Sequence, residues 1–378
     1  MKVMIAVTHL LGTGHLSRAL TLGRAFAQQG HHVVLASGGF PVSQLKTDGI
    51  EFVQLPALRS DGVNFTRLLT PTGSCADTTY LGSRADALRQ TLVTLQPDIL
   101  ITELYPFGRR VLAAEFLSLL QAAHQLPIRP VILSSIRDIL APPSKPKKAV
   151  AADEVIANWY DAVLVHSDPT TTTLDVSWPV SPLLATKLRY TGFVAPPPPS
   201  PHPQQVGKGE VLVSAGGGSV GDALYETAMI AARTDTETTW HLLVGGTEAK
   251  TRIDRFRTIE SPAVLDTARP DFRQMLCHAS ALVGMCGYNT TMDLLQTGVP
   301  SVLIPFDAGS EVEQTLRSTS LARMRGIEVI PSANLTPQTL GAAVNRVRAA
   351  LARKSDTIAF DGADNTVDIA CKMAQERP

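Results

Sequence analysis

Five polar residues that could bind a ligand crowd two neighbouring loops of the segment 281–314, ALVGMCGYNTTMDLLQTGVPSVLIPFDAGSEVEQ: Asn289, Thr290, Asp293, Glu313 and Gln314. A carboxylate suits the paired hydroxyls of a ribose, and an amide suits the hydroxyls of a sugar ring. Thr290 followed three residues later by Asp293 also fits a helix capping box, and taken alone that reading is the simpler one. A second group lies far upstream. His15 and Arg18 stand at i and i+3 on a first helical turn and point the same way, and Glu103 closes an apolar run. An imidazole can take a proton near neutral pH; a turn histidine bonded to backbone and a solvated loop acid are the plainer alternatives. A third group is the glycine run AGGGSVGD at 215–222. Gly217 and Gly218 let a backbone approach closely, and the N–H groups of Ser219 and Val220 at a helix start can hold a pyrophosphate without a lysine. A tight turn explains the same glycines.

All three groups are expected beyond the carboxyl ends of buried strands, where ligands of open parallel sheets bind. Residues 3–7 read as a strand, 10–14 as a tight turn, 15–29 as a helix through Leu16, Ala19, Leu20, Leu22, Ala25 and Phe26, and 31–36 as a second strand, one βαβ unit. Residues 98–102 form a strand that ends at Glu103, and 210–214 form a strand followed by a helix over 223–232. In the 281–314 segment, a strand at 281–284 leads to a helix over 290–297 stopped by Gly298; a strand at 301–304 leads to another helix near Glu311. The GTGH at 12–15 is not a dinucleotide fingerprint, since the third glycine is missing and no acid ends the second strand. The run APPPPSPHP at 195–203 reads as polyproline II, a semi-rigid spacer between two domains.

A chain of 378 residues can bury two cores. Its 34 basic and 34 acidic residues cancel, leaving no field for nucleic acid. The short basic run 145–148 reads as a solvated loop, so any membrane contact is at most peripheral. No apolar run approaches the roughly 18 residues of a spanning helix, and the start of the chain reads as a first strand rather than a signal peptide. Cys75, Cys277, Cys286 and Cys371 show neither a CxxC pair nor zinc spacing. No metal site, no disulfide framework and a reducing cytoplasm are the expectations.

The motif GYNTTMDLLQTGVPSVLIPF with the following EQ resembles the donor half of GT-B glycosyltransferases of the MurG type, with a C-terminal domain like that of glycosyltransferase family 28. PDILITELYPFGRR and SSIRDIL are similar to segments of bacterial predicted glycosyltransferases. The resemblance implies an α/β protein of GT-B fold, with two Rossmann-like doubly wound parallel-sheet domains facing each other across a cleft. Its parts would be an acceptor domain at 1–194, the proline-rich linker at 195–209, a donor domain at 210–362 and a last helix at 363–378 packed back on the first domain. By position, Asp293 would hold the nucleotide ribose, and Glu313 with Gln314 the donor sugar. Gly217, Gly218, Ser219, Val220, Gly287, Asn289 and Thr290 would complete the donor site. His15 would stand between donor and acceptor as general base, oriented by Glu103, while Gly14, Arg18, Arg109 and Arg137 would face the acceptor. The implied activity is metal-independent, inverting transfer of a hexose from a nucleotide sugar, expected to be UDP-linked N-acetylglucosamine, to a hydroxyl acceptor, with no cofactor. No acid pair has the spacing used by retaining enzymes. GTGHLSRALTLGRAF also resembles the start of the UDP-sugar hydrolase of pseudaminic acid synthesis, which makes hydrolysis the second expectation and a non-catalytic nucleotide-sugar binder the third. Acceptor identity and oligomeric state have no signal in the sequence.

Overall fold

The structure is a computed structural model that describes residues 1–378 except 11–12, 43–44, 61–66, 217–219, 247, 308–310, 351–352, 354–357 and 378. It divides into two compact units: unit 1 is Met1–Pro196 with Ala359–Pro378, and unit 2 is Pro197–Ile358.

Unit 1 runs β1 (Lys2–Val7), α1 (Gly14–Gln28), β2 (His32–Gly39), β3 (Glu51–Ser60), β4 (Leu68–Leu69), α2 (Thr78–Leu95), β5 (Ile99–Glu103), α3 (Ala113–His124), β6 (Val131–Arg137), α4 (Pro146–Trp159), β7 (Ala162–His166), α5 (Pro182–Lys187) and β8 (Leu188–Tyr190). The strands form one sheet in the order β4-β3-β2-β1-β5-β6-β7-β8, and only the short β4 is antiparallel to its neighbour. β1, β5, β6 and β7 are almost wholly buried, as strands covered by helices on both faces must be. α1 buries the apolar stripe read from the sequence, and Phe26 has no exposure at all. Burying a side chain of that size contributes about 1.5 to 3 kcal/mol.

Unit 2 runs β9 (Val211–Ser214), α6 (Asp222–Ala232), β10 (Trp240–Val244), α7 (Ala249–Phe256), β11 (Val264–Thr267), α8 (Phe272–Leu276), β12 (Ala281–Gly284), α9 (Tyr288–Thr297), β13 (Ser301–Leu303), α10 (Glu313–Leu321), β14 (Ile327–Val329) and α11 (Pro337–Ala349). Its strands are all parallel, in the order β11-β10-β9-β12-β13-β14. The chain then returns to unit 1 as α12 (Gly362–Gln375), which packs on α1, β5 and β6. Phe193 N donates to Ala359 O at 2.8 Å, Ala359 N to Asp168 Oδ2 at 2.9 Å, and Asn365 Nδ2 to Thr191 O at 2.8 Å.

Both sheets reverse winding at one place, between β1 and β5 in unit 1 and between β9 and β12 in unit 2. These are the topological switch points, where the loops diverge and leave room for ligand.

Three local expectations change. Residues 146–148 open α4, with Pro146 in the first turn where its missing N–H costs nothing, so most of the basic run is helix rather than loop. The proline-rich stretch does not stand free: from Pro197 onward it belongs to unit 2 and is fastened to α8. There Pro197 O accepts from Arg273 Nη2 at 3.0 Å, His202 O is bonded to the His278 ring at 3.1 Å, and the His202 ring lies 3.2 Å from Asp271. Prolines keep their carbonyls, so a polyproline run still accepts hydrogen bonds. Finally, α9 begins at Tyr288 with Gly287 as cap, two residues earlier than the spacing suggested. Thr290 is therefore inside the helix, Asp293 lies a turn further on, and no side chain caps this terminus. The capping-box explanation of this pair falls away. Gly298 ends α9 at φ 68°, and a Cβ there would lie 2.2 Å from Arg353 O, so even Gly298→Ala would displace the chain.

Candidate active site

The switch point of unit 1 gathers His15 from α1, Glu103 from the end of β5, and Ser135 and His166 from the ends of β6 and β7. Glu103 is in register with Ser135 across β5 and β6. The His15 ring nitrogen Nδ1 lies 2.9 Å from Glu103 Oε1, Arg18 is ion-paired with the same oxygen, and Ser135 Oγ donates to Glu103 Oε2 at 2.6 Å. Glu103 is 2% exposed. Burial opposes its charge, but Arg18, His15 and Ser135 together outweigh that cost and hold the carboxyl well below the usual range. His15 keeps 16% of its side chain exposed. Burial and the nearby Arg109 and Arg18 lower its pKa to about 4 against the pull of Glu103, so it is neutral at pH 7.

An ionised carboxylate only accepts, so the 2.9 Å contact with Glu103 calls for the proton on His15 Nδ1, and Arg18 Nη2, 3.2 Å from that same nitrogen, is then left to donate to Glu103. Nε2 is then the basic nitrogen. This is the arrangement of a general base held in one tautomer by a carboxylate.

The backbone beside Glu103 is strained. Leu104 (φ 72°) and Arg109 (φ 57°) both take the left-handed region without being glycine. Arg109 Nε donates to Thr8 O at 2.5 Å, which ties the loop after β5 to the loop after β1. Burial lowers the Arg109 pKa to about 10, still charged at neutral pH. Arg137 at the end of β6 folds back on Ile139 O at 3.0 Å. Gly14 is the first residue of α1. Arg18 serves Glu103 in this structure, so its charge is engaged before any acceptor arrives.

In unit 2, Gly217, Gly218 and Ser219 fall outside the described residues. Val220 precedes α6 instead of lying on it, with Gly221 between them at φ 92°. The Val220 carbonyl accepts from Arg252 Nη2 at 2.9 Å. Asp222 opens α6 and is bound by Arg252 at 2.6 Å and by Arg255. Arg252 also reaches Gly245 O at 2.8 Å, so one buried guanidinium fastens the loop after β9 to the loop after β10. A hollow of about 450 Å³ opens at the ends of β10 and β11, lined by Gly245, Gly246, Lys250, Thr251, Thr267 and Ala268.

Gly287, Asn289 and Thr290 form the cap and first turn of α9 at the carboxyl end of β12, with Asn289 exposed. Asp293 is 9% exposed. Arg273 Nε donates to its Oδ1 at 2.6 Å, and Arg273 Nη2 donates to Gln296 Oε1 at 2.6 Å. Oδ2 of Asp293 has no hydrogen bond among the described residues, so one oxygen, not two, is open. Burial pushes the Asp293 pKa up, and Arg273 offsets that only in part. Gln314 accepts from Phe306 N at 3.1 Å, and Glu313 is the first residue of α10. Arg317 on α10 donates to Cys286 O at 3.1 Å and lies over the Tyr288 ring, clamping the two loops together.

Ser135, His166, Arg252, Arg273 and Arg317 were not among the sequence candidates. SSIR and LVHS do carry a signal, polar residues at the carboxyl ends of apolar strands. Arg317 stands four residues after Glu313, one turn along the same helix face. Arg252 and Arg273 give no local sign of their partners, which lie 30 and 20 residues away.

The sequence model of the Glycosyltransferase family 28 C-terminal domain matches residues 213–364. The UDP-N-acetylglucosamine–N-acetylmuramyl-(pentapeptide) pyrophosphoryl-undecaprenol N-acetylglucosamine transferase of Erythrobacter litoralis is 26% identical over 106 residues, 28% of this chain and 26% of that protein. The protein of the same name from Levilactobacillus brevis is 27% identical over 119 residues, 30% of this chain and 33% of that one. The alignments thus span a third or less of these curated relatives. The crystal structure of Acinetobacter baumannii MurG superposes with a TM-score of 0.64 at 16% identity, covering 99% of this chain and 100% of that one. The chain therefore has the GT-B fold of MurG, with residues 213–364 matching the glycosyltransferase family 28 C-terminal domain.

Proposed function

We propose that the protein is an inverting glycosyltransferase that moves a hexosyl group from a UDP-linked donor, N-acetylglucosamine in the first instance, to a hydroxyl acceptor. The observation that carries this reading is the His15–Glu103 pair at the switch point of unit 1, with Nε2 left as the basic nitrogen. The acceptor O–H gives its proton to His15 Nε2 as its oxygen attacks the anomeric carbon. The bond from that carbon to the diphosphate breaks on the opposite side, and the nucleoside diphosphate leaves with the electron pair. The imidazolium that forms is stabilised by Glu103, already ionised and bonded.

Unit 2 supplies the donor's ligands. Asp293 Oδ2 accepts one ribose hydroxyl, Glu313 and Gln314 face the sugar, and the loop 217–220 with the α9 terminus at Gly287, Asn289 and Thr290 takes the diphosphate. Arg109 and Arg137, with Gly14 and the Arg18 beside it, belong to the acceptor side. The reading includes metal independence and a cytoplasmic setting. Among the described residues no group of acids and histidines could hold a metal ion, and no helix is long and apolar enough to cross a membrane.

The test is calorimetry with UDP and UDP-N-acetylglucosamine, followed by product analysis. Asp293→Ala weakens nucleotide affinity about tenfold, or about 1.4 kcal/mol, in a folded protein. Unchanged affinity removes Asp293 from the site. UDP release that stops in chelator and returns with magnesium overturns the metal-free reading. Free sugar released at an undiminished rate without acceptor makes the protein a hydrolase, with water in the acceptor's place.

A further inference from the structure

The buried polar chain behind Glu103 is longer than a base and its carboxylate require. Ser135 Oγ, which donates to Glu103 Oε2 at 2.6 Å, lies 2.9 Å from His166 Nε2, and His166 Nδ1 lies 2.9 Å from Thr191 Oγ1. Ser135 and His166 have no exposure, and Thr191 has 1%. Four side chains from the ends of β5, β6 and β7 and the segment after β8 therefore form one line across the sheet.

Proton counting gives that line a direction. A hydroxyl has one hydrogen to donate, and Ser135 gives its own to the carboxylate. Ser135 must then accept from His166, which places the His166 proton on Nε2. Burial lowers the His166 pKa to about 3, so the ring is neutral and has no second proton. Its Nδ1 must therefore accept from Thr191, whose hydroxyl turns away from the Gly192 carbonyl 2.9 Å off. The opposite direction is also geometrically complete: Thr191 donates to Gly192, His166 carries its proton on Nδ1, and Ser135 donates to His166. That order leaves Glu103 Oε2 without a donor. An ionised carboxylate is a stronger acceptor than a carbonyl or an imidazole, and the 2.6 Å contact is the shortest in the line.

We propose that Ser135, His166 and Thr191 are positioning residues: a one-directional hydrogen-bond relay that fixes the Glu103 carboxylate, and through it holds His15 in the Nδ1–H tautomer required of the base. The inference rests on the proposed role of His15. It predicts opposite tautomers for two histidines joined through one carboxylate, His15 protonated on Nδ1 and His166 on Nε2.

The experiment is nitrogen-15 NMR of the histidine-labelled full chain at neutral pH, which reads each tautomer, alongside UDP release from UDP-N-acetylglucosamine. The wild type shows the opposite pair. Ser135→Ala lowers the UDP release rate about tenfold with UDP affinity unchanged and mixes the His15 tautomers, and Ser135→Thr, which keeps the hydroxyl, restores both. A His166 proton on Nδ1 overturns the relay, as does a Ser135→Ala protein with wild-type His15 signals and turnover. If Ser135→Ala does not fold, the wild-type tautomers decide alone. A wild type with the predicted tautomers that binds neither UDP nor UDP-N-acetylglucosamine supports the relay and sinks the glycosyl-transfer reading, so the two fail separately.

Discussion

Glu103 in unit 1 and Asp293 in unit 2 are both nearly buried carboxylates beside an arginine, yet their pKa values move in opposite directions. The difference is the number of donors. Glu103 has Arg18 and His15 on one oxygen and Ser135 on the other, enough to overcome the loss of water. Asp293 has Arg273 alone, and that guanidinium is divided among Asp293, Gln296 and Pro197 O. A carboxylate with donors on both oxygens is part of the scaffold, whereas one with an open oxygen is a binding group in wait. The two units thus use similar parts in different ways, and on the proposed reading one fixes a base and the other receives a ligand.

The sharpest break in that comparison is His15→Ala. It removes the base that Glu103 serves, and UDP release falls about 10²- to 10⁴-fold while nucleotide affinity is unchanged. Affinity lost together with rate would make His15 a ligand of the diphosphate or sugar.

Next in size is a pair of stability measurements in urea at neutral pH. Arg18→Met strands the buried Glu103 charge and costs about 3 to 5 kcal/mol, the usual penalty for breaking a buried pair. Arg273→Met removes the one donor of a carboxylate that keeps an open oxygen, and its cost is smaller, about 1 to 3 kcal/mol. Equal losses would erase the distinction between scaffold and binding group.

The smallest effect separates the two by pH. If Asp293 takes the ribose as the anion, as proposed, its pKa above the ordinary aspartate value makes nucleotide affinity complete well above that raised pKa and lets it fade as pH falls through it. Arg273→Gln removes the group that opposes the rise and moves the loss of affinity to higher pH. As the proposed base, His15 would react neutral with a pKa of about 4, so turnover at saturating donor stays level from neutral pH down and declines only near pH 4. An Arg273→Gln protein whose affinity has the wild-type pH dependence would show that Arg273 does not govern the Asp293 charge.

Much of this was readable without coordinates, for identifiable reasons. Short continuous apolar runs rich in β-branched residues, such as ILIT and AVLV, read as buried parallel strands, and glycine runs mark where the chain turns over their ends; that placed His15 and Glu103 at one edge of a sheet before their 2.9 Å contact was known. Asp293 came from the residue pattern of the 281–314 segment. What stayed hidden were contacts set by strand order. Nothing near Arg273 announces Asp293, and the relay needs Glu103, Ser135 and His166, 31 to 32 residues apart, to fall on adjacent strands. Helix starts at α4 and α9 were missed by two or more residues because proline at a first turn and a glycine cap look like loop in a sequence.

The return of the chain from unit 2 to α12 has a consequence for how the protein is made. Unit 2 is contiguous, Pro197–Ile358, and can complete its sheet as soon as the ribosome has released it. Unit 1 cannot, because the surface of α1, β5 and β6 on which α12 packs stays uncovered until α12 emerges about 160 residues after the rest of its unit. The second unit synthesised is therefore the first one able to finish, and a nascent chain stalled before Gly362 would present its chaperones with the α1 surface and a folded unit 2.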